Sequence, residues 1–114
     1  MKHSSHLTLF VAAAALALAA GSAAAQSAER GRVAFVQNGC WQCHGFVGQG
    51  GIAGARLAPD PKPLEYVAAF VRNTTGPMPR YSEKLLSKDD LADIHAYLKS
   101  LPKGPDYKTI PLLN

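Results

Sequence analysis

The chain has 114 residues, which is enough for one domain, and its formal net charge is +4. No basic cluster is interleaved with aromatic side chains, so the sequence does not favour a protein that binds nucleic acid.

The first quarter of the chain is predicted to be a signal peptide, residues 1–25. Lys2 precedes an apolar run over residues 7–20, and small residues at 23–25 lead to a predicted cleavage after Ala25. The alternative is a membrane anchor, but the run is shorter than the roughly 20 apolar residues that span a bilayer. No second apolar run follows, so we predict an exported mature chain without a membrane span, periplasmic if the source is bacterial.

The predicted mature chain is short and mildly basic. From residue 26 onward, 11 lysine and arginine residues stand against 8 aspartate and glutamate residues, a net charge of +3. This balance permits docking on an acidic protein partner. A domain of this length has difficulty burying enough apolar surface by itself, and the usual remedies are disulfides, a metal or a large cofactor.

The first predicted element of the mature chain is a helix over residues 28–37. Glu29 in its first turn suits the helix dipole, and Asn38-Gly39 is a stop signal. Residues 45–61 are predicted to be loop, because glycines recur there with little hydrophobic periodicity. Such a long loop is unusual in a small domain unless it wraps a ligand that replaces part of the core, so it favours a bound cofactor.

Two further helices are predicted. One begins after Pro63, where apolar residues recur at helical spacing, and ends at Gly76-Pro77. The other begins at Ser87, in a capping box with aspartate in place of glutamate, and ends at Pro102. Valine, isoleucine and threonine never form an alternating run, so the predicted fold is all-α.

The predicted domain spans residues 26–102, and residues 103–114 form a C-terminal extension. The apolar residues of this tail could pack on the domain or on a partner, or the terminus could be loosely ordered. The sequence leaves both possibilities open.

The pentapeptide Cys40-Trp41-Gln42-Cys43-His44 has the clearest chemistry. Two thiols three positions apart in a short helical turn can each add to one vinyl group of a haem, and the next residue then places an imidazole under the iron. The motif therefore predicts one covalently bound haem c, held by Cys40 and Cys43, with His44 as an iron ligand.

Two other interpretations compete for these residues, a redox pair of the thioredoxin type and half of a zinc site. A thioredoxin needs strands that alternate with helices, and the sequence predicts no strand. A tetrahedral zinc site needs two ligands besides the cysteines, for which only His44 and His95 remain in the mature chain.

The only methionine of the mature chain, Met78, lies between Pro77 and Pro79. Pro79 moves Met78 away from helical angles and both prolines stiffen the backbone, so the loop can present a thioether to iron as the second axial ligand. In the alternative interpretation, the prolines only stop a helix and Met78 fills a gap in the core. His95 is a rival ligand, although its position in the last helix is typical of a surface histidine.

These features together resemble the class I cytochrome c family. Besides the early CxxCH motif and the Pro-Met-Pro loop, the matching residues are Gly31, Phe35, Ile94 and Tyr97. The resemblance covers the mature chain and implies three main helices and loops wrapped around one haem, with the first and last helices crossing at Gly31. It also implies that a loop proline carbonyl bonds the ligating histidine, and Pro59 is the candidate, with Pro61 and Pro63 as close alternatives.

Histidine and methionine ligation suits an electron relay, because the soft thioether favours ferrous iron. With both axial positions filled, we predict an electron carrier and not a catalyst, either a free shuttle or the cytochrome subunit of an exported dehydrogenase. Its partners would be redox proteins, namely a dehydrogenase, another cytochrome or a terminal oxidase. A haem sensor would instead need a readily displaced Met78, and a thiol oxidoreductase would need free cysteines.

A positive ring for docking is a further hypothesis, because four basic residues flank the segments expected near Met78. Ordinary solvated charge is the alternative. The four residues are Lys62, Arg72, Arg80 and Lys84.

Overall fold

The computed structural model describes residues 25–113, in which there are four α-helices and no strand. Helices α1 to α4 span Ala28–Gln37, Cys40–His44, Leu64–Asn73 and Lys88–Ser100, and 3-10 turns follow at Tyr107–Thr109 and Pro111–Leu113. The all-α prediction is confirmed. The predicted signal peptide lies outside the described residues except for its last position, and none of the described helices is long and apolar enough to cross a membrane.

Helices α1 and α4 form the main packing of the domain, and they meet at Gly31. Gly31 is buried, and a β-carbon there would overlap the backbone carbonyl of Asp93. Phe35, fully buried one turn later, packs at a tilted angle on Tyr97 with ring centroids 5.8 Å apart. Ile94 is also buried at this contact. The predicted crossing at Gly31 is therefore confirmed.

A buried carboxylate joins the start of α1 to α4. Asp93 accepts from the backbone N–H of Ser27 at 2.6 Å and from the Arg30 guanidinium at 2.7 and 3.2 Å. The Ser27 hydroxyl caps α1 by accepting from the Arg30 N–H at 3.2 Å. The spacing of apolar residues did not predict this link, because it depends on which helices meet.

Helices α3 and α4 begin where the sequence predicted. Helix α3 starts after Pro63 but ends at Asn73, before the predicted stop, because Thr74 leaves the helical region with ψ of 142°. At α4, the Ser87 hydroxyl accepts from the Asp90 N–H at 3.0 Å and donates to the Asp90 carboxylate at 2.7 Å. Asp90 thus pairs with the hydroxyl, where the glutamate of a full capping box would bond the serine N–H.

The core contains residues from α1, α3, α4 and the loops between them. Its buried apolar members are Ala34, Phe35, Ala58, Val71, Leu86, Leu91, Ile94, Tyr97 and Leu98. Cys40, Trp41, Met78 and Tyr81 are partly buried against this core, so two predicted haem-binding residues lie at its edge. In the tail, Leu112 and Leu113 are largely exposed, which does not support packing of these two side chains on the domain.

Candidate functional site

The two cysteines and the histidine lie on α2, a single helical turn. Asn38 ends α1, and Gly39 then takes a left-handed conformation (φ +72°) that a side chain would disfavour, which leads the chain directly into Cys40. Cys40 is half-buried and Cys43 is exposed, and both thiols are free. Burial raises the pKa of the Cys40 thiol above its ordinary value.

One backbone carbonyl holds the His44 ring. Its Nδ1 lies 2.7 Å from the carbonyl oxygen of Ala55. Because a carbonyl oxygen only accepts, Nδ1 donates the proton, and the lone pair of Nε2 remains for a metal ion. The prediction that Pro59 accepts this hydrogen bond is wrong, because the acceptor is Ala55, four residues earlier in the chain.

The path of the loop after His44 explains this difference. The Gly50 N–H donates to the His44 carbonyl at 2.8 Å, so the chain turns back at once. Gly54 then passes so close that a β-carbon there would lie 2.8 Å from the Cys43 carbonyl oxygen and 2.9 Å from His44 Nδ1. This tight return brings Ala55 to the imidazole before the chain reaches its prolines.

Met78 is half-buried in the loop between α3 and α4. We call residues 74–81 the methionine loop. At its base, Arg80 Nε donates to the Thr74 carbonyl at 2.7 Å, which joins the two ends of the loop. The prolines on either side of Met78 have no N–H to donate, so hydrogen bonds at the base hold the loop.

Tyr81 connects the methionine loop to both sides of the site. Its N–H donates to the Val71 carbonyl on α3 at 2.9 Å, and its hydroxyl donates to the Asn38 carbonyl at 2.8 Å, just before Cys40. Burial raises the pKa of the Tyr81 phenol, and the nearby thiols of Cys40 and Cys43 raise it further. The structure therefore brings the methionine loop and the cysteine turn to one side of the domain.

This site, with two thiols and an imidazole on one turn and a methionine loop tied to that turn, agrees with a known family. Residues 26–98 match the family described as cytochrome c oxidase, cbb3-type, subunit III. The chain belongs to this family. It is a c-type cytochrome domain, and the predicted resemblance to monohaem c-type cytochromes is confirmed. No solved structure matches the chain.

Curated relatives of this cytochrome domain are named cytochrome bc1 complex cytochrome c subunit. The protein from Corynebacterium diphtheriae is 38% identical over 69 residues, which cover 58% of this chain and 25% of the relative. The Corynebacterium efficiens protein is 36% identical over 69 residues, covering 58% and 23%. The Mycobacterium bovis protein is 38% identical over 63 residues, covering 53% and 22%. The chain thus spans about a quarter of the length of these relatives.

The described residues of the cytochrome domain fit a haem and not the competing chemistries. Two free thiols on one turn, with an imidazole whose Nε2 lone pair is available, form the donor set that covalent haem requires. Within residues 25–113, no group of three or more histidine, cysteine, aspartate or glutamate side chains could hold a metal ion, so zinc lacks a ligand set there. The same residues contain no strand, whereas a thiol oxidoreductase of the thioredoxin type needs strands that alternate with helices.

Two of the four suggested docking cations are bonded to backbone. Arg72, half-buried, donates to the carbonyls of Tyr81 and Leu86, each at 2.7 Å, and Arg80 makes the bond described above. These roles could not be predicted from the sequence, because the sequence does not distinguish an arginine that bonds backbone carbonyls from one that is solvated. These bonds leave both guanidinium charges in place, so the positive ring stays a prediction.

His95, the rival iron ligand, has a structural contact on α4. Its Nε2 lies 2.9 Å from the Lys62 carbonyl oxygen, to which it must donate a proton. That nitrogen therefore has no lone pair to offer, and the contact joins the proline-rich segment over residues 59–63 to α4.

Proposed function

We propose that this chain is an exported monohaem c-type cytochrome that transfers single electrons between redox proteins, with His44 and Met78 as axial ligands. The observation that carries the proposal is the turn of Cys40, Cys43 and His44, which presents two thiols that form no disulfide and one Nε2 lone pair in a chain of a c-type cytochrome family. Thioether bonds from the two cysteines would hold the haem, which supplies a one-electron iron couple when bound.

The side chains and backbone of the chain orient and shield this site. The Ala55 carbonyl fixes the tautomer of His44 and increases its basicity. Apolar side chains are partly buried at the edge of the core, among them Leu57, Leu64 and Val67, and next to a bound haem they would limit access of water. A haem with little access to solvent has a higher reduction potential, because burial disfavours the additional positive charge of ferric iron. The bonded base of the methionine loop holds the thioether of Met78.

The proposed partners are redox proteins. A dehydrogenase, another cytochrome or a terminal oxidase could exchange electrons with the domain, and the names of the relatives add a bc1-type complex. Export is supported by the signal-peptide pattern of residues 1–25. Terminal sequencing of protein from an extracytoplasmic fraction should begin at Gln26, and an intact Met1 in that fraction would contradict cleavage.

The covalent cofactor is tested on purified protein from cells that can attach haem. Denaturing mass spectrometry should give the mass of the mature chain plus one haem, and the colour should stay with the protein in acidified organic solvent. A bare polypeptide mass, or colour that moves into the solvent, would contradict the proposal. A mass with two haems would contradict the single-haem assignment.

Replacing Met78 by alanine tests the second axial ligand. We expect the weak red absorption band of ferric iron–thioether ligation to disappear and the reduction potential to fall, because the thioether favours ferrous iron. His95→Gln is the control and should keep both properties. A band absent already from the unmodified protein, with a potential that falls in His95→Gln and not in Met78→Ala, would assign the ligand to His95 instead.

A further inference from the structure

Backbone groups of Tyr81, three residues after Met78, form hydrogen bonds with α3. The Arg72 guanidinium donates from Nη1 to the Tyr81 carbonyl and from Nη2 to the Leu86 carbonyl, each at 2.7 Å. The Tyr81 N–H donates to the Val71 carbonyl at 2.9 Å. Both backbone polar groups of Tyr81 are thus bonded to groups of α3, which fixes the last residue of the methionine loop against that helix.

The phenol of Tyr81 extends this set to the other side of the site. Its hydroxyl donates to the Asn38 carbonyl at 2.8 Å, across a separation of 43 residues in the chain. Only Gly39 lies between Asn38 and Cys40, the first residue of the turn that ends at His44. One side chain therefore joins the methionine loop to the start of the turn that holds both thiols and the imidazole.

Hydrogen bonds at the tip of the methionine loop contribute little to holding the loop in place. The Gly76 N–H reaches the Thr74 hydroxyl at 3.4 Å, which is a long and weak hydrogen bond. Pro77 and Pro79 are exposed and have no N–H. Besides the packing of the Met78 side chain on the core, the location of Met78 is therefore set by hydrogen bonds at the base of the loop, made by Arg72, Arg80 and Tyr81.

We propose that Tyr81 and Arg72 are positioning residues for Met78: together they fix the methionine loop relative to the His44 turn and so limit how often the thioether leaves the iron. This inference rests on the proposed His44 and Met78 ligation. The planar guanidinium of Arg72 can bond two carbonyls at once, whereas a lysine ammonium is a point charge that would lose one of them. The phenol hydroxyl contributes one bond that phenylalanine lacks.

The test uses haem-loaded Tyr81→Phe and Arg72→Lys proteins, with Tyr107→Phe in the tail and Arg32→Lys on the exposed side of α1 as matched controls. Carbon monoxide binds reduced iron only when the thioether has left, so its binding rate reports how often Met78 dissociates. For Tyr81→Phe we expect this rate to rise about fivefold, the factor that one net hydrogen bond contributes to an equilibrium. Arg72→Lys should show at least the same rise, and both variants should have a lowered reduction potential.

The outcomes separate this inference from the proposed function. The controls should bind carbon monoxide as slowly as the unmodified protein. Slow binding and an unchanged potential in both variants, even with a lower melting temperature, would mean a purely structural role and would overturn the inference alone. Rapid binding by the unmodified protein would overturn the proposed ligation, and the inference with it. If Arg72→Lys does not accumulate, Tyr81→Phe decides the result, because it removes only one hydroxyl.

Discussion

At the scale of single residues, two close backbone approaches in the domain occur at glycines. At Gly31 the backbone of α1 meets the carbonyl of Asp93, and at Gly54 the loop passes the His44 ring and the Cys43 carbonyl. Neither place has room for a β-carbon without movement of the neighbouring backbone. The first contact brings α1 against α4, and the second brings the Ala55 carbonyl to the imidazole, so both affect the site through geometry.

Replacing Gly31 by alanine should destabilise the domain. Alanine favours a helix over glycine by about 1 kcal/mol, but its β-carbon would overlap the Asp93 carbonyl and force α1 away from α4. Overpacking costs about 1–3 kcal/mol, and the helix preference offsets about 1 kcal/mol of it, so we expect a net loss of up to about 2 kcal/mol in guanidinium unfolding of the haem-loaded protein.

Gly104→Ala is the control for this substitution. Nothing lies within 4 Å of the position that its β-carbon would take, so its unfolding free energy should stay close to that of the unmodified protein. An equally stable Gly31→Ala protein would mean that the two helices can separate at little cost.

The hydrogen-bond acceptor of His44 shows where prediction from single residues ends. The chemistry of the pentapeptide identified the two thiols and the imidazole, because covalent attachment requires those groups at that spacing. The acceptor was not identified, because it depends on the path of the loop, which turns back at Gly50 and reaches His44 with Ala55 and not Pro59. Arg72 escaped prediction for a related reason, since its two acceptors are backbone groups brought near only by the fold.

At the scale of elements, hydrophobic periodicity and capping residues were sufficient to locate the helices. Helix α1 spans Ala28–Gln37 as predicted, and Ser87 caps α4 as predicted. The ion pair between α1 and α4 was not predictable in the same way. Asp93 occurs in a helix with exposed acidic residues, and its burial follows from the close packing that Gly31 allows.

Asp93 should make the stability of the α1–α4 contact depend on pH. In the folded protein its pKa lies below the ordinary value of 3.8, first because Arg30 donates to the carboxylate and second because the Ser27 N–H does. Folding therefore favours the charged form, so this stabilisation is complete above the ordinary pKa and is lost as the pH falls through the folded pKa.

Unfolding of Asp93→Asn measures this contribution. Near neutral pH we expect a loss of about 1 kcal/mol, which is below the roughly 1.5–3 kcal/mol of a hydrogen bond to a charged group, because the Arg30 side chain is 58% exposed and solvent screens the pair. The difference from the unmodified protein should shrink below pH 3.8. Asp89→Asn, at an exposed position in the first turn of α4, should not reproduce this trend. A deficit that is constant with pH would contradict the assigned cause.

At the scale of the whole molecule, much of the domain is loop, and the small apolar core leaves several large apolar side chains uncovered. Between α2 and α3 the chain makes short turns that are held by backbone hydrogen bonds. Several large apolar side chains in this loop are exposed, including Phe46 and Ile52. A domain of this size buries a limited fraction of its surface. The proposed covalent haem would add apolar contacts that the polypeptide alone lacks, and it would then be part of the fold as well as of the function.

Replacing both Cys40 and Cys43 by alanine should therefore leave little folded protein. Loss of both thioether links leaves the haem to dissociate, and a ligand at about a thousand times its dissociation constant contributes about 4 kcal/mol to stability. We expect the double variant to lose at least that amount, measured as helical circular dichroism and its unfolding transition. Cys43→Ala alone is the control, because Cys43 is exposed and Cys40 would keep one link. A double variant that unfolds cooperatively with the stability of the unmodified protein would show that packing of α1 on α4 is enough to maintain the fold without the cofactor.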